Sequence, residues 1–173
     1  MKPYHSQQLT RIKNPADLTV VCGVPILPLI LGSVTTGPCT ILPTSEFRDI
    51  VAEALELFRL NSLQKQLFEP QSSADLVLQY LTEWISHCLK LAVQAQPKTC
   101  AELETLLVSA ASQAEQSLPP QLTPASSERE RKICHAYLAQ LRTETARRLS
   151  GKAWDGKGVS KWWAQYVEEV VTR

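Results

Sequence analysis

Apolar and polar positions along the chain change their period once, near residue 45. Before it, no helical stripe can be drawn. From Leu18 to Ser45, 28 residues pass without a Lys, Arg, Asp or Glu. The core of that stretch, residues 18–31, is almost continuously apolar and is interrupted by Pro25 and Pro28. Each proline removes an amide donor and clashes with the preceding turn. The pattern therefore predicts two short extended pieces, roughly 19–24 and 26–31, lying against a helical core. A membrane span needs about 20 apolar residues in a helix, which the prolines and the short run oppose. Residues 1–44 read as an apolar arm that its own domain or a partner must cover.

From residue 45 the spacing becomes three and four. A first helix over about Ser45–Leu67 presents Phe47, Ile50, Val51, Ala54, Leu57 and Phe58, with Glu53, Glu56 and Arg59 opposite. Pro70 and the box Ser72-Ser73-Ala74-Asp75 open a second helix over about Ala74–Gln94. Its apolar residues, from Leu76 to Ala92, cover most of the circumference. A helix apolar nearly all round is buried on nearly all sides, so this one is expected at the centre. Thr99-Cys100-Ala101-Glu102 starts a third helix, to about Ser117, whose many alanines suggest light packing. Pro119, Pro120 and Pro124 make a stiff connector. Ser127-Glu128-Arg129-Glu130 opens a fourth helix, to about Lys152, with i,i+4 pairs Glu128–Lys132 and Glu144–Arg148. Gly151 and Gly156 bracket a turn. Ser160 caps a last helix striped by Trp162, Trp163, Tyr166, Val167, Val170 and Val171. The expected fold is all-α: about five helices packed around one central helix, with an N-terminal extended arm of short strands. It forms a single domain over 1–173, with a helical body at 45–173.

Composition narrows the class without naming a function. The 173 residues are 44% hydrophobic and 20% charged, with a formal net charge of +1. That is a globular balance with no global pull toward nucleic acid or an anionic membrane. The five cysteines, at 22, 39, 88, 100 and 134, are an odd number without a CxxC pair. This points to a reducing, cytosolic setting rather than a disulfide framework or zinc site.

The candidate chemistry is thin. Gly151-Lys152-Ala153-Trp154-Asp155-Gly156-Lys157-Gly158 nearly spells a phosphate-binding loop, but Gly158 stands where Ser or Thr is required. The segment also follows a charged helix instead of a strand. A helix C-terminal turn explains it better. His87-Cys88 and Cys134-His135 each offer one ligand at most, because helical neighbours point about 100° apart. Cys88 reads as a small core residue. His5 has no carboxylate or nucleophile partner identifiable in the sequence. No Ser/His/Asp order, paired-carboxylate signature or HExxH occurs, so no catalytic constellation is expected. The basic residues Arg129, Arg131, Lys132, Arg142, Arg147, Arg148 and Lys152 read as a solvated helix face. Trp162 and Trp163 are the sharper signal. Adjacent positions cannot both point straight into one small core, so either one packs inward and the other covers an interface, where Trp is enriched, or the final helix lies in a groove with both packed internally.

Several strings, in order, carry a resemblance. They are Tyr4-His5-Ser6, Ile26-Leu27-Pro28-Leu29, Asp49-Ile50-Val51-x-Glu53-Ala54 and Ile85-Ser86-x-Cys88-Leu89-Lys90. The most specific are Ala136-Tyr137-Leu138-x-Gln140-Leu141-Arg142-x-Glu144-Thr145 and Ser160-Lys161-Trp162-Trp163. Together they resemble subunit 3, the 21-kilodalton subunit, of the actin-related protein 2/3 complex. The likeness fades between about Val93 and Ser127. It also departs at the arm, which lacks basic residues after Leu-Pro, and at Glu168-Glu169, where the family tends to be basic. The resemblance implies a helical structural subunit without enzymatic activity or cofactor, in a seven-subunit assembly that nucleates branched actin filaments. It implies docking on actin-related protein 3, contact with actin filaments through the complex, and a place in the cytoplasm and the actin-rich cytoskeleton. Nucleotide would belong to the actin-related subunits. Tyr4, His5, Trp162 and Trp163 are the expected interface residues. The competing readings are a stand-alone helical small-molecule binder or enzyme, and a membrane-associated adaptor.

Overall fold

Four helices begin where a short polar side chain takes up a free amide. Asp49 accepts from Ala52, Ser72 from Asp75, Thr99 from Glu102 and Ser127 from Glu130, each satisfying a donor that has no partner within the helix. The structure, a computed structural model, describes residues 2–30, 35–43, 46–114 and 118–171, the last four by backbone alone. The expected acidic pair Glu168-Glu169 and stripe positions Val170 and Val171 therefore lie outside the described side chains.

The helices are α1 (Gln8–Arg11), α2 (Ile50–Leu63), α3 (Ser73–Ala95), α4 (Cys100–Gln113), α5 (Glu128–Ala153) and α6 (Lys161–Val171). Helix α3 touches α2, α4, α5 and α6. It is the central helix that its all-round apolar pattern predicted. It ends at Gln96, which adopts a left-handed conformation (φ 48°) and returns its N–H to the Ala92 carbonyl, just before Pro97. Two boundaries moved inward. α2 starts at Ile50, because Asp49 caps it, and a 3₁₀ turn at Lys65–Leu67 follows it. α4 stops at Gln113. It is also not lightly packed. Leu103, Leu107 and Ala111 are fully buried, and α4 lies along α5. Its small residues bring the two helices close rather than leaving α4 loose.

The arm is extended only in part: α1 and a 3₁₀ turn at Pro15–Asp17 precede its strands, and a hairpin turn at Cys22–Gly23 divides the expected 19–24 piece. Strands β1 (Val20–Val21) and β2 (Val24–Pro25) pair antiparallel, and β3 (Leu29–Ile30) pairs parallel with β4 (Ile41–Leu42). Both corner residues of the first hairpin have positive φ, Cys22 at 48° and Gly23 at 79°, as a tight two-residue hairpin demands. A Cβ at Gly23 would fall 2.6 Å from Thr123 Oγ1, so glycine is required there twice over. Val21, Val24, Leu27 and Leu29 are buried. The chain covers most of the arm's apolar side chains itself, while Val20 and Ile41 stay exposed.

Two-residue strands leave most arm amides without a ladder, and a buried amide needs an acceptor. The body supplies them from side chains. On α5, Glu130 accepts from Cys22 at 2.8 Å, Tyr137 Oη from Leu27 at 3.2 Å and Gln140 from Cys39 at 2.9 Å. On α2, Glu53 accepts from Gln7 at 2.8 Å, and its cap Asp49 from Ile30 at 3.1 Å. Asp75 of α3 accepts from Ser6 at 2.6 Å. Glu53, expected on the outer face of its helix, is instead 2% exposed. It sits three residues after Ile50, on the buried stripe, because the arm runs there.

The basic residues of α5 are not one solvated face. Arg129, Arg131 and Lys132 are exposed, and Arg131 pairs with Glu128 at 2.8 Å, in place of the expected Glu128–Lys132 pair. Arg148 lies 2.8 Å from both Asp49 and Glu144, two buried acids. Burial alone would lower its pKa, but bonds and charge from these carboxylates outweigh that and raise it. Arg142 donates to Tyr80 Oη and the Ala111 carbonyl, and lies over the Trp84 ring. Arg142 and Arg148 are therefore internal cement, while Lys152 at the end of the series is exposed.

Candidate partner interface

Helix α6 opens after a reversal that the near phosphate loop forms. Asp155 Oδ1 accepts from the Lys157 and Gly158 amides at 2.9 and 3.0 Å. Gly156 has φ 94°, and Trp154 and Val159 bridge across the turn. The amides that a phosphate would need are already bonded to the chain's own carboxylate. The segment is the helix-ending turn its context suggested.

Ser160 Oγ then accepts from the Trp162 amide at 3.2 Å, and the two tryptophans part. Trp163 is 7% exposed, stacks on Phe58 of α2 at 5.8 Å and donates Nε1–H to the Lys152 carbonyl at 3.2 Å. Tyr166 meets Phe58 edge-on at 6.0 Å. Trp162 keeps 43% of its surface. Its inner edge rests on Trp163 and Tyr166, with ring centroids 4.8 and 5.6 Å away. A ring packed on two anchored rings is rigid, and little side-chain freedom remains to be lost on contact.

Tyr4 and His5 lie at the far end of the arm. Tyr4 is 49% exposed. Its backbone makes a two-way clasp with Asn61 of α2, N to Oδ1 at 2.9 Å and Nδ2 to O at 3.1 Å. His5 turns inward, against expectation. Its Nδ1 is 2.8 Å from Asp75 Oδ2, and its ring lies 5.3 Å from Phe68. The carboxylate partner was invisible in sequence because it is 70 residues away. Asp75 also accepts from the Gln71 and Ser6 amides, so His5 belongs to an internal latch. Tyr4 and Trp162 therefore face outward, Trp163 is buried, and His5, bonded to Asp75, keeps 28% of its side chain exposed. Phe58 and Asn61, which anchor the two exposed aromatics, are three residues apart on one face of α2.

Sequence reasoning missed four further exposed side chains, Val20 at 61% and Ile41 at 39% in the arm, and Leu63 at 48% and Leu67 at 66% in and after α2. For the two leucines the signal was present. Both fall off the stripe formed by Ile50, Ala54 and Phe58, and a large apolar residue on the outer face needs a reason.

Little in the molecule favours chemistry. Burial pushes Cys88 and Cys134 up to about 12, so their thiols stay protonated, and Cys88 is the core residue it was taken for. Among the described residues, no group of three His, Cys, Asp or Glu is placed to hold a metal ion, and no helix is long and apolar enough to cross a membrane. The cleft between α2 and α3, lined by Asn61, Lys65, Phe68, Gln79, Glu83 and Lys90, has a volume of about 80 Å³. Larger, more open grooves of about 530 Å³, between Ala101, Val108 and Arg147, and about 450 Å³, between Ala92, Pro97 and Val159, lie elsewhere on the surface.

Fold and site together define a helical packing unit that presents exposed aromatic side chains, Tyr4 and Trp162, at its surface. The chain belongs to the family described as P21-Arc, the ARP2/3 complex ARPC3 (21 kDa) subunit, whose model matches residues 1–170. It is 32% identical over 173 residues to the actin-related protein 2/3 complex subunit 3 of Arabidopsis thaliana, covering 95% of this chain and 94% of the relative. It is 33% identical over 172 residues to that of Dictyostelium discoideum, covering 92% and 91%.

Proposed function

We propose that this chain is a non-catalytic structural subunit of an actin-related protein 2/3 assembly, working in the cytoplasm at actin-rich structures. It docks on actin-related protein 3, with the exposed face of α6 as a principal contact. The observation that carries this is Trp162. A tryptophan held rigidly by two buried aromatics, with nearly half its surface open, is the side chain most enriched at interface centres. Tyr4, raised by the Asn61 clasp, is the second contact. His5 and Trp163 support the face from beneath without touching the partner.

The test is incorporation. Trp162→Ala should weaken recovery of actin-related protein 3 with the tagged chain by roughly thirtyfold in affinity, equivalent to about 2 kcal/mol for a central interface tryptophan. Circular dichroism of the isolated variant should be unchanged. Undiminished recovery would remove Trp162 from the interface. Recovery of the unaltered chain without any actin-related protein would overturn the assignment to the assembly.

A further inference from the structure

Cys22 and Cys134 sit together where the arm meets α5. Cys22 is the first corner residue of the β1–β2 hairpin, in a left-handed conformation that side chains other than Gly, Asn and Asp rarely adopt. Its N–H donates to Glu130 Oε1 at 2.8 Å, and its carbonyl accepts from the Thr123 amide at 3.0 Å. Glu130 lies one helical turn before Cys134. Side chains on a helix lean toward its N-terminus, so the Cys134 thiol leans over the turn that holds Cys22. Burial, and after it a side-chain hydrogen bond with Cys22, push the Cys134 thiol up. Both are buried, at 1% and 0% exposure. β1 itself runs against α5.

We infer that Cys22 and Cys134 form an oxidisable thiol pair, a modification site that peroxide converts to a disulfide pinning the arm to α5. In the closed arm neither thiol is reachable, so the pair is silent. The reaction requires the hairpin to lift, which breaks the bonds to Glu130 and Thr123 and brings both sulfurs into solvent. One thiolate then attacks the O–O bond, giving a sulfenic acid and releasing the other peroxide oxygen as water after protonation. The second thiol attacks the sulfenic sulfur. An S–S bond forms, and the sulfenic oxygen leaves as a second water. The two sulfurs together lose two electrons, and the peroxide gains them. Reclosure of the hairpin sets the second sulfur beside the first, so the bond records that the arm has opened. Cys39 and Cys88 are buried elsewhere in the core and take no part.

The experiment treats the folded full chain with hydrogen peroxide and maps peptides without reduction. A Cys22–Cys134 cross-link is expected. It should be abolished by Cys22→Ser or Cys134→Ser and kept by Cys88→Ser. Glu130→Ala, which releases the turn, should speed its formation about tenfold, the worth of one hydrogen bond to a charged group. The oxidised chain should resist proteolytic release of the arm at least about tenfold longer than the reduced chain. Links through other cysteines, sulfinic acid alone, or a link that forms only in denaturant would overturn the proposal. So would equal rates of arm cleavage in the oxidised and reduced chains.

Discussion

The arm and the last helix both carry apolar side chains that need covering, and the molecule treats them oppositely. Val24, Leu27 and Leu29 of the arm have no exposed surface, whereas Trp162 of α6 keeps 43% of its own. The difference lies in what surrounds each backbone. The arm's amides are met one by one by side chains of α2, α3 and α5. That fixes its path and presses its apolar side chains inward. α6 satisfies its own amides and is free to turn one face out. A run of apolar residues therefore marks an interface only where the fold has not already used it.

The largest effect should come from breaking the arm's deepest tie. Asp49 caps α2, accepts from Ile30 and binds Arg148 through both oxygens at 2.8 Å. Asp49→Ala removes one of the two carboxylates around the Arg148 guanidinium and leaves the Ile30 amide without this acceptor. Removing one partner of a buried pair typically costs about 3–5 kcal/mol. Urea denaturation should show a loss of that order, and a loss under about 1 kcal/mol would mean that the arm is not held this way. Trp163→Ala follows at about 3 kcal/mol, because it empties the stack on Phe58. Its failure to enter the assembly would then trace to instability. Trp162→Ala, one residue away, should change stability by less than about 1 kcal/mol, since that ring is nearly half exposed. The pair of measurements separates core from interface along a single dipeptide. Equal losses of stability would erase the contrast.

Much of the body was legible in the sequence because its signals are local. The serine and threonine boxes open α3, α4 and α5 where expected, and the acid of each box bonds an amide just ahead of the cap. Glu102 takes Lys98, Asp75 takes Gln71 and Glu130 takes Ser126. The all-round apolar pattern of α3 placed it at the centre. Adjacency left two arrangements of the tryptophan pair, both internal or one in and one out, and the structure has the second. What could not be read was the second use of those acids. Asp75 and Glu130 also hold the arm, and that partnership spans 69 and 108 residues. His5 was misjudged for the same reason. Glu53 is the instructive miss. Its position three after Ile50 put it on the buried stripe, and a carboxylate on such a stripe implies a donor coming from elsewhere in the chain.

The smallest expected effect sharpens the comparison inside one helix. α5 carries two acid–arginine pairs of equal length, Glu128–Arg131 and Glu144–Arg148, both at 2.8 Å. The first is exposed on both sides, at 58% and 52%, and the second is at 4% and 19%. Exposed pairs are screened by salt and lose side-chain entropy when they form. Buried ones sit where an unpaired charge is poorly solvated. Arg131→Ala should therefore leave stability almost unchanged, and raising the salt concentration should shrink any difference that remains. Glu144→Ala should cost several-fold more at any salt, because it removes one of the two carboxylates around Arg148. If the two substitutions proved equal, the location of a charge on α5 would not matter, and the account of the arm as a segment clamped by buried acids would fail with it.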